Sequence, residues 1–211
     1  MILSSFCMEK AVALLSGGID SPVAIHLLQS RLEVIAAHFH QMPLTSEKEL
    51  EKVKVLCRIL GVKKLYLIPF AGVLKELVSR CSNKDYFILS KILMFKAAEK
   101  IAEKEAAAYL ITGENLAQVS SQTLSNLTTI TRHLSLPVLR PVLTFDKQEI
   151  MDLAKKIETY ETSSGPEICC LLGPKHPATK SDAEAIGKEL DKIDFKIVEE
   201  TLQKAEMIGN D

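Results

Sequence analysis

Two stretches of this 211-residue chain carry residue types that could do chemistry. The first is Ser16-Gly17-Gly18-Ile19-Asp20-Ser21, which follows the apolar run Ala11-Val12-Ala13-Leu14-Leu15 and precedes Pro22. Glycines here would admit positive φ angles and let another group approach the backbone closely. Asp20 and Ser21 are cap-forming residues, and Pro22 suits the first turn of a helix. A helix starting at this point offers backbone N–H groups at its N-terminus, where phosphates bind. A plain strand-to-helix turn would draw on the same residue types. The second stretch is Glu167-Ile168-Cys169-Cys170. Reduced cysteines there could be catalytic groups, and two apolar cysteines packed on the core are the alternative. Adjacent cysteines make a poor tetrahedral site and the chain has no C-x-x-C, so no metal site is expected.

The elements that must position these residues follow from the hydrophobic pattern. Short apolar runs at 11–15, 34–39, 65–68 and 109–111 read as buried strands. They alternate with helical patterns at 21–29, 47–60, 73–79 and 86–105. That alternation predicts an α/β fold, a parallel sheet flanked by helices of Rossmann-like type. After Gly113 the texture turns polar, and the stretch rich in Ser, Thr, Asn and Gln reads as a loop. A last strand is expected within 136–143. Asp146 and Glu149 form a capping-box pattern for a helix over 147–157. Helices at 181–190 and 195–205 close the chain, after a long loop through the paired cysteines.

Composition bounds the rest. Hydrophobic residues make up 47% and charged residues 25%, as in an ordinary globular protein. A formal net charge of −1 gives no global signal for nucleic acid. A substrate face would need a local patch from Lys91, Arg132, His133, Arg140, Lys175, His176 and Lys180; scattered surface charge is the alternative. No segment is apolar enough for a membrane span and the N-terminus does not read as a signal peptide. A cytoplasmic setting with reduced thiols is therefore expected. Residues 1–9 read as a tail and 10–211 as one domain.

The hexapeptide Ser16–Ser21 resembles the S-G-G-x-D-S loop (PP-loop) of the ATP pyrophosphatases, which cleave ATP between its α and β phosphates. It lacks the Gly-Lys-Ser/Thr of a Walker A loop. A second stretch, Thr112-Gly113-Glu114-Asn115-Leu116-Ala117-Gln118-Val119-Ser120-Ser121-Gln122-Thr123-Leu124-Ser125-Asn126-Leu127, is similar to the T-G-E-x-L-x-Q-V-x-S-Q-T-L-x-N-L segment of the tRNA 4-thiouridine synthetase (ThiI) family. The resemblance continues through Leu139-Arg140-Pro141 and Asp146-Lys147, and includes Ala37-His38-Phe39-His40. It implies an adenine-nucleotide α-hydrolase fold with ATP and Mg²⁺ as cofactors.

Residue by residue, the resemblance implies that Ser16, Gly17, Gly18 and Ser21 hold the β and γ phosphates and that Asp20 orients Mg²⁺ or phosphate. Leu14 and Leu15 line the site ahead of the loop, His38 and Phe39 lie beside the adenine, and Gly113 and Gln122 flank the nucleotide. A basic residue of the family falls at Lys91. Cys169 falls at the family's acceptor cysteine and would handle sulfur, with Cys170, Cys57, Cys81 or Cys7 as the second thiol. A partly Cys169-bound Fe–S cluster is an alternative, although three well-spaced ligands are not visible. The resemblance further implies a tRNA substrate, a cysteine desulfurase or other sulfur donor, and a homodimer. The family's THUMP and rhodanese-like domains are not seen in the sequence, so the chain is either an excised domain or a stand-alone enzyme that works with a separate RNA-binding protein of THUMP type. The reaction implied is adenylylation of a uridine at O4 and its replacement by sulfur. Sulfur transfer for the thiazole of thiamine, or a nucleotide-binding subunit without catalysis, are the alternatives.

Overall fold

Strands covered on both faces read as unbroken apolar runs, and the runs of this chain do pair in parallel. The computed structural model describes residues 8–116, 121–165 and 172–209. In chain order the first half comprises β1 (Lys10–Leu14), α1 (Asp20–Leu28), β2 (Glu33–His40), α2 (Glu47–Ile59), β3 (Lys64–Pro69), α3 (Ala71–Arg80) and α4 (Tyr86–Glu105). The second half comprises β4 (Tyr109–Ile111), α5 (Leu124–Arg132), β5 (Val138–Leu139), α6 (Lys147–Lys156), α7 (Tyr160–Ser163), α8 (Ala183–Leu190), α9 (Lys196–Gln203) and β6 (Glu206–Gly209). The sheet has six strands in the order β5-β4-β1-β2-β3-β6, parallel except for β6. β1 lies between β2 and β4. The winding therefore reverses direction at β1, which opens a crevice at the carboxyl ends of these three strands.

Alternate strand residues feed two cores. Val12, Ile35, Ala37, Tyr66 and Ile68 pack beneath α3, α4, α8 and α9. Ala11, Ala13, Val34, Ala36, Leu65 and Leu67 pack beneath α1, α2 and α6. Among the described residues no helix is long and apolar enough to cross a membrane.

Several expectations are corrected. The polar stretch after Gly113 contains α5, whose cap Thr123 accepts a hydrogen bond from the Asn126 backbone N–H at 3.2 Å. Ser, Thr and Asn are weak helix formers. Here Leu127 and Ile130 bury one face, and the Asn126 amide donates to the Ser121 and Ala178 carbonyls, both at 2.8 Å. β6 also escaped the pattern, because an edge strand of four residues with mostly exposed side chains has no apolar run. α1 begins at Asp20 behind Ile19, with no side-chain cap. Ser21 turns its hydroxyl back onto Ser16 instead.

The expected capping box at α6 is present, with the Asp146 carboxylate accepting from the Glu149 backbone N–H at 2.8 Å and the Glu149 carboxylate from that of Asp146 at 2.7 Å. Removing the cap by Asp146→Ala should cost about 1 kcal/mol. Thermal denaturation followed by circular dichroism should show a fall of roughly 2–4 °C in Tm.

Candidate functional site

The crevice forms where β1 leaves the sheet. Leu15 stays in register, its N–H donating to Ala37 at 2.9 Å, and the chain then turns through Ser16 to Asp20. Two hydroxyls stitch that turn. The Ser16 N–H donates to Ser21 Oγ at 2.9 Å, the two Oγ atoms lie 3.0 Å apart, and the Gly18 N–H donates to Ser16 Oγ at 3.2 Å. Positive φ is not what the first glycine supplies. The left-handed region is used at Gly61, with φ of 65°, and not at Gly17. A methyl group on Gly17 would stand 3.2 Å from Lys52 Cδ, part of a flexible side chain.

Gly113, just beyond β4, fixes the other wall. A Cβ on it would stand 2.6 Å from the Ser21 backbone N and 2.7 Å from the Asp20 carbonyl carbon. Real Cβ atoms do not come that close to backbone, so only glycine lets the end of β4 rest on the start of α1. Asn115 next to it donates from its side chain to the Val142 and Phe145 carbonyls, and its backbone N–H donates to Gln122 Oε1 at 2.7 Å.

His38 closes the crevice from β2. It is 3% exposed, and its Nδ1 lies 2.9 Å from the Leu15 carbonyl. A carbonyl only accepts, so Nδ1 carries the proton and Nε2 is a bare acceptor. Nε2 has no hydrogen-bond partner among the described residues, and Glu49 Oε1 stands 3.9 Å away. Burial lowers the His38 pKa to about 4, against a smaller raising effect of the Leu15 carbonyl. The imidazole is therefore neutral near pH 7. Phe39 packs edge-on to Phe70, centroids 5.0 Å apart.

On α4, Lys91 Nζ lies 3.5 Å from Oε1 of the buried Glu114, whose other oxygen accepts from Arg140 Nε at 2.8 Å. Arg140 also donates to Thr131 Oγ1 at 3.1 Å, so it belongs to this buried network and not to an open basic face. His133 likewise lies against the Ala183 carbonyl, at 3.2 Å.

One cavity of about 280 Å³ collects these groups: Leu14, Leu15, Ser16, Gly18, Asp20, Ser21, His38, Phe39, Lys91, Gly113 and Gln122 all line it. Of the residues expected at a nucleotide, Gly17 alone lies off the lining, against Lys52. The Leu15 side chain belongs to the core, so its backbone faces the cavity. A second hollow of about 460 Å³ shares Lys91, Met94, Glu114 and Gln122 and extends toward Phe87, Lys175 and Pro177. A larger hollow, about 950 Å³, lies at the opposite edge of the sheet, where Glu33 and Lys64 begin their strands, far from the Ser16–Ser21 turn.

Sequence reasoning missed Glu49, Glu114 and Lys52. Thr112-Gly113-Glu114 was in view, but its carboxylate acquires a purpose only through Lys91 and Arg140, which arrive from other elements. Cys169 and Cys170 lie outside the described residues, as does Cys7. Of the other thiols, Cys57 is fully buried, with its pKa pushed by burial up to about 12, and Cys81 donates to the Glu189 carbonyl and is also raised by burial. Neither is suited to act as a second thiol, because a thiolate is needed.

The chain is similar in sequence and fold to known proteins. The sequence profile of the family described as "Thiamine biosynthesis protein (ThiI)" matches residues 6–195. The chain belongs to the ThiI family. The probable tRNA sulfurtransferase of Moorella thermoacetica is 42% identical over 209 residues, which are 94% of this chain and 53% of that protein. A crystallised 4-thiouridine synthetase in complex with RNA and bound ATP superposes with a TM-score of 0.91 at 37% identity, covering 96% of this chain and 55% of that one. The NMN synthetase from Francisella tularensis, 15% identical with a TM-score of 0.60, covers 95% of this chain and 79% of its own and shares the fold. This ThiI-family chain thus has the PP-loop ATP pyrophosphatase fold. It spans about half the length of the curated relatives it matches.

The residues present fit an adenine nucleotide. A turn clamped by two hydroxyls ahead of a helix N-terminus suits phosphate, and a buried imidazole nitrogen with no partner among the described residues can accept from an exocyclic amine. Among the described residues no cluster of three or more His, Cys, Asp or Glu could hold a metal. A Mg²⁺ ion would therefore take most of its ligands from phosphate and water, as this ion commonly does, with Asp20 nearby.

Two outcomes follow. Gly113→Ala should force β4 off α1 and weaken nucleotide binding by tenfold or more, read by calorimetric titration, whereas Gly17→Ala meets only a flexible lysine tail and should cost little. The acid stability of the fold should also depend on His38. Between pH 6.5 and about 4 the unfolded chain binds a proton that native His38 refuses, so stability falls as pH drops through that window. His40, lowered chiefly by burial, acts in the same sense. His38→Asn should remove up to about 3 kcal/mol of that pH dependence, measured by urea denaturation on either side of the window.

Proposed function

We propose that this chain is the ATP-using domain of a cytoplasmic tRNA sulfurtransferase that makes 4-thiouridine. The observation carrying this reading is the single cavity that joins the clamped phosphate turn, neutral His38 and Lys91 at the carboxyl ends of β1, β2 and β4. Similarity to the 4-thiouridine synthetase and the tRNA sulfurtransferases supplies the acceptor.

ATP lies with its β and γ phosphates over Ser16, Gly17, Gly18 and Ser21, and its adenine between His38 and Phe39. His38 Nε2 accepts from the adenine amino group, which guanine does not have at that place. Leu14, Leu15, Gly113 and Gln122 frame the nucleotide, and Asp20 would orient Mg²⁺, which would neutralise phosphate charge. Lys91, steadied by Glu114, faces the junction of the two hollows, beside the α phosphate. O4 of the uridine attacks that phosphorus and pyrophosphate leaves. The terminal sulfur of a Cys169 persulfide then attacks C4 and AMP leaves; a second thiol, assigned to Cys170, cleaves the remaining S–S bond. A cysteine desulfurase or comparable donor loads the sulfur. A THUMP-type RNA-binding unit supplies the charge that a chain of net charge −1 does not bring to tRNA.

The family's description favours one second reading, the same sulfur chemistry directed to the thiazole of thiamine. Labelled ATP with Mg²⁺ and a THUMP-type RNA-binding protein, with and without unmodified tRNA, separates the two. AMP and pyrophosphate in equal amounts only with tRNA support the first reading, and tRNA-independent AMP supports the second. ADP as product overturns both. Asp20→Ala should lower AMP formation by about a hundredfold or more. Cys169→Ser should leave pyrophosphate release intact and abolish thiolation; normal thiolation by that variant would remove Cys169 from the mechanism.

A further inference from the structure

The cavity has a charge imbalance. Asp20, Glu49 and Glu114 line it against Lys91 as the one lysine or arginine among the described lining residues. Glu114 is shared by Lys91 and by Arg140 from outside the lining, which leaves Asp20 and Glu49 as the excess of carboxylates. A nucleoside triphosphate brings its negative charge into this setting, and the site's carboxylates oppose it.

A cation that could redress the balance lies beneath the glycine turn. α2 carries Lys52 against Gly17, so that a methyl group built on that glycine would stand 3.7 Å from Lys52 Nζ. The same ammonium donates to the Ser163 carbonyl at 2.9 Å, a partner 111 residues further along the chain. A Cβ on Gly165 would also lie 3.9 Å from it. One of the ammonium's N–H groups serves Ser163, and the others remain for an acceptor on the turn.

We propose that Lys52 binds the β and γ phosphates of the nucleotide and, through Ser163, couples nucleotide occupancy to the anchoring of α7. The proposal rests on the nucleotide-site reading above. α7 is a single turn of four residues and has almost no intrinsic stability. Its backbone bonds, Ser163 N–H to Thr159 at 2.9 Å and Ser164 N–H to Tyr160 at 2.8 Å, persist only while the turn is held from outside. A phosphate that fixes the Lys52 ammonium strengthens the tie to Ser163. By linkage, anchoring of α7 strengthens phosphate binding by the same factor. AMP, which lacks the β and γ phosphates, should gain nothing from Lys52.

The test uses the full chain and three probes with Mg²⁺: ATP, inorganic pyrophosphate and AMP. Affinities come from calorimetry, and hydrogen exchange is followed at the Ser163 and Ser164 amides. In the unaltered protein ATP should slow that exchange. Lys52→Met should weaken ATP and pyrophosphate about tenfold or more, the scale of one lost charge-assisted contact. It should leave AMP within twofold and abolish the ATP-dependent protection of α7. Lys52→Arg, which keeps the charge, should recover part of both effects. Equal binding of ATP by Lys52→Met and the parent overturns the proposal. So does weakening of AMP to the same extent, which would mark Lys52 as merely structural. If the parent itself binds none of the three probes, the nucleotide-site reading fails and the proposal falls with it.

Discussion

The close approach of Gly113 to Ser21 is the constraint on which the site depends. Parallel strands bring their carboxyl ends to one edge of a sheet, but the fold alone does not decide how near β4 comes to the helix that follows β1. Backbone against backbone, with no Cβ between, sets that distance at the smallest value available. Ser16 and Ser21 then lock the intervening turn with their hydroxyls. The geometry of the phosphate turn is thus set by contacts made without a ligand, which is what preorganised binding requires.

Charge is distributed with the same economy. A buried histidine in a site for an anionic ligand could have been a cation. Burial instead keeps His38 neutral and leaves Nε2 as an acceptor. Glu114 is buried between two basic side chains, which holds Lys91 toward the cavity at the cost of part of its charge. The carboxylates of the lining leave a role for a cation outside it, and Lys52 stands against the turn at Gly17.

Much of this was legible in the sequence, for physical reasons. Strands 11–15, 34–39, 65–68 and 109–111 were visible because both faces are buried. The residues at their carboxyl ends were therefore the right ones to examine. The capping box of α6 is a local pattern and survives intact. α5 was not legible, because its stability comes from Asn126 reaching the Ala178 carbonyl across 52 residues. Glu114 and Lys52 were hidden for the same reason: each is defined by partners on other elements. The glycine turn was recognised, yet for the wrong cause at its first glycine: Gly17 lies outside the left-handed region, and its neighbour is the flexible end of Lys52.

Two leaving groups must depart in turn if the sulfur chemistry proposed here is right, pyrophosphate first and AMP second. They separate at the α phosphate, so the acceptor must approach from the side away from the glycine turn. The hollow that shares Lys91 and Glu114 with the nucleotide cavity opens on that side, toward Phe87 and Lys175. Gly173 packs directly on Phe87, where a Cβ would stand 2.4 Å from the ring. At the other wall, Gly165 lies near Lys52. The residues bordering the paired-cysteine segment are thus held at opposite sides of the reaction path, one by the phosphate turn and one by the acceptor hollow. In the proposed reaction, sulfur delivery and phosphate binding would share these two walls.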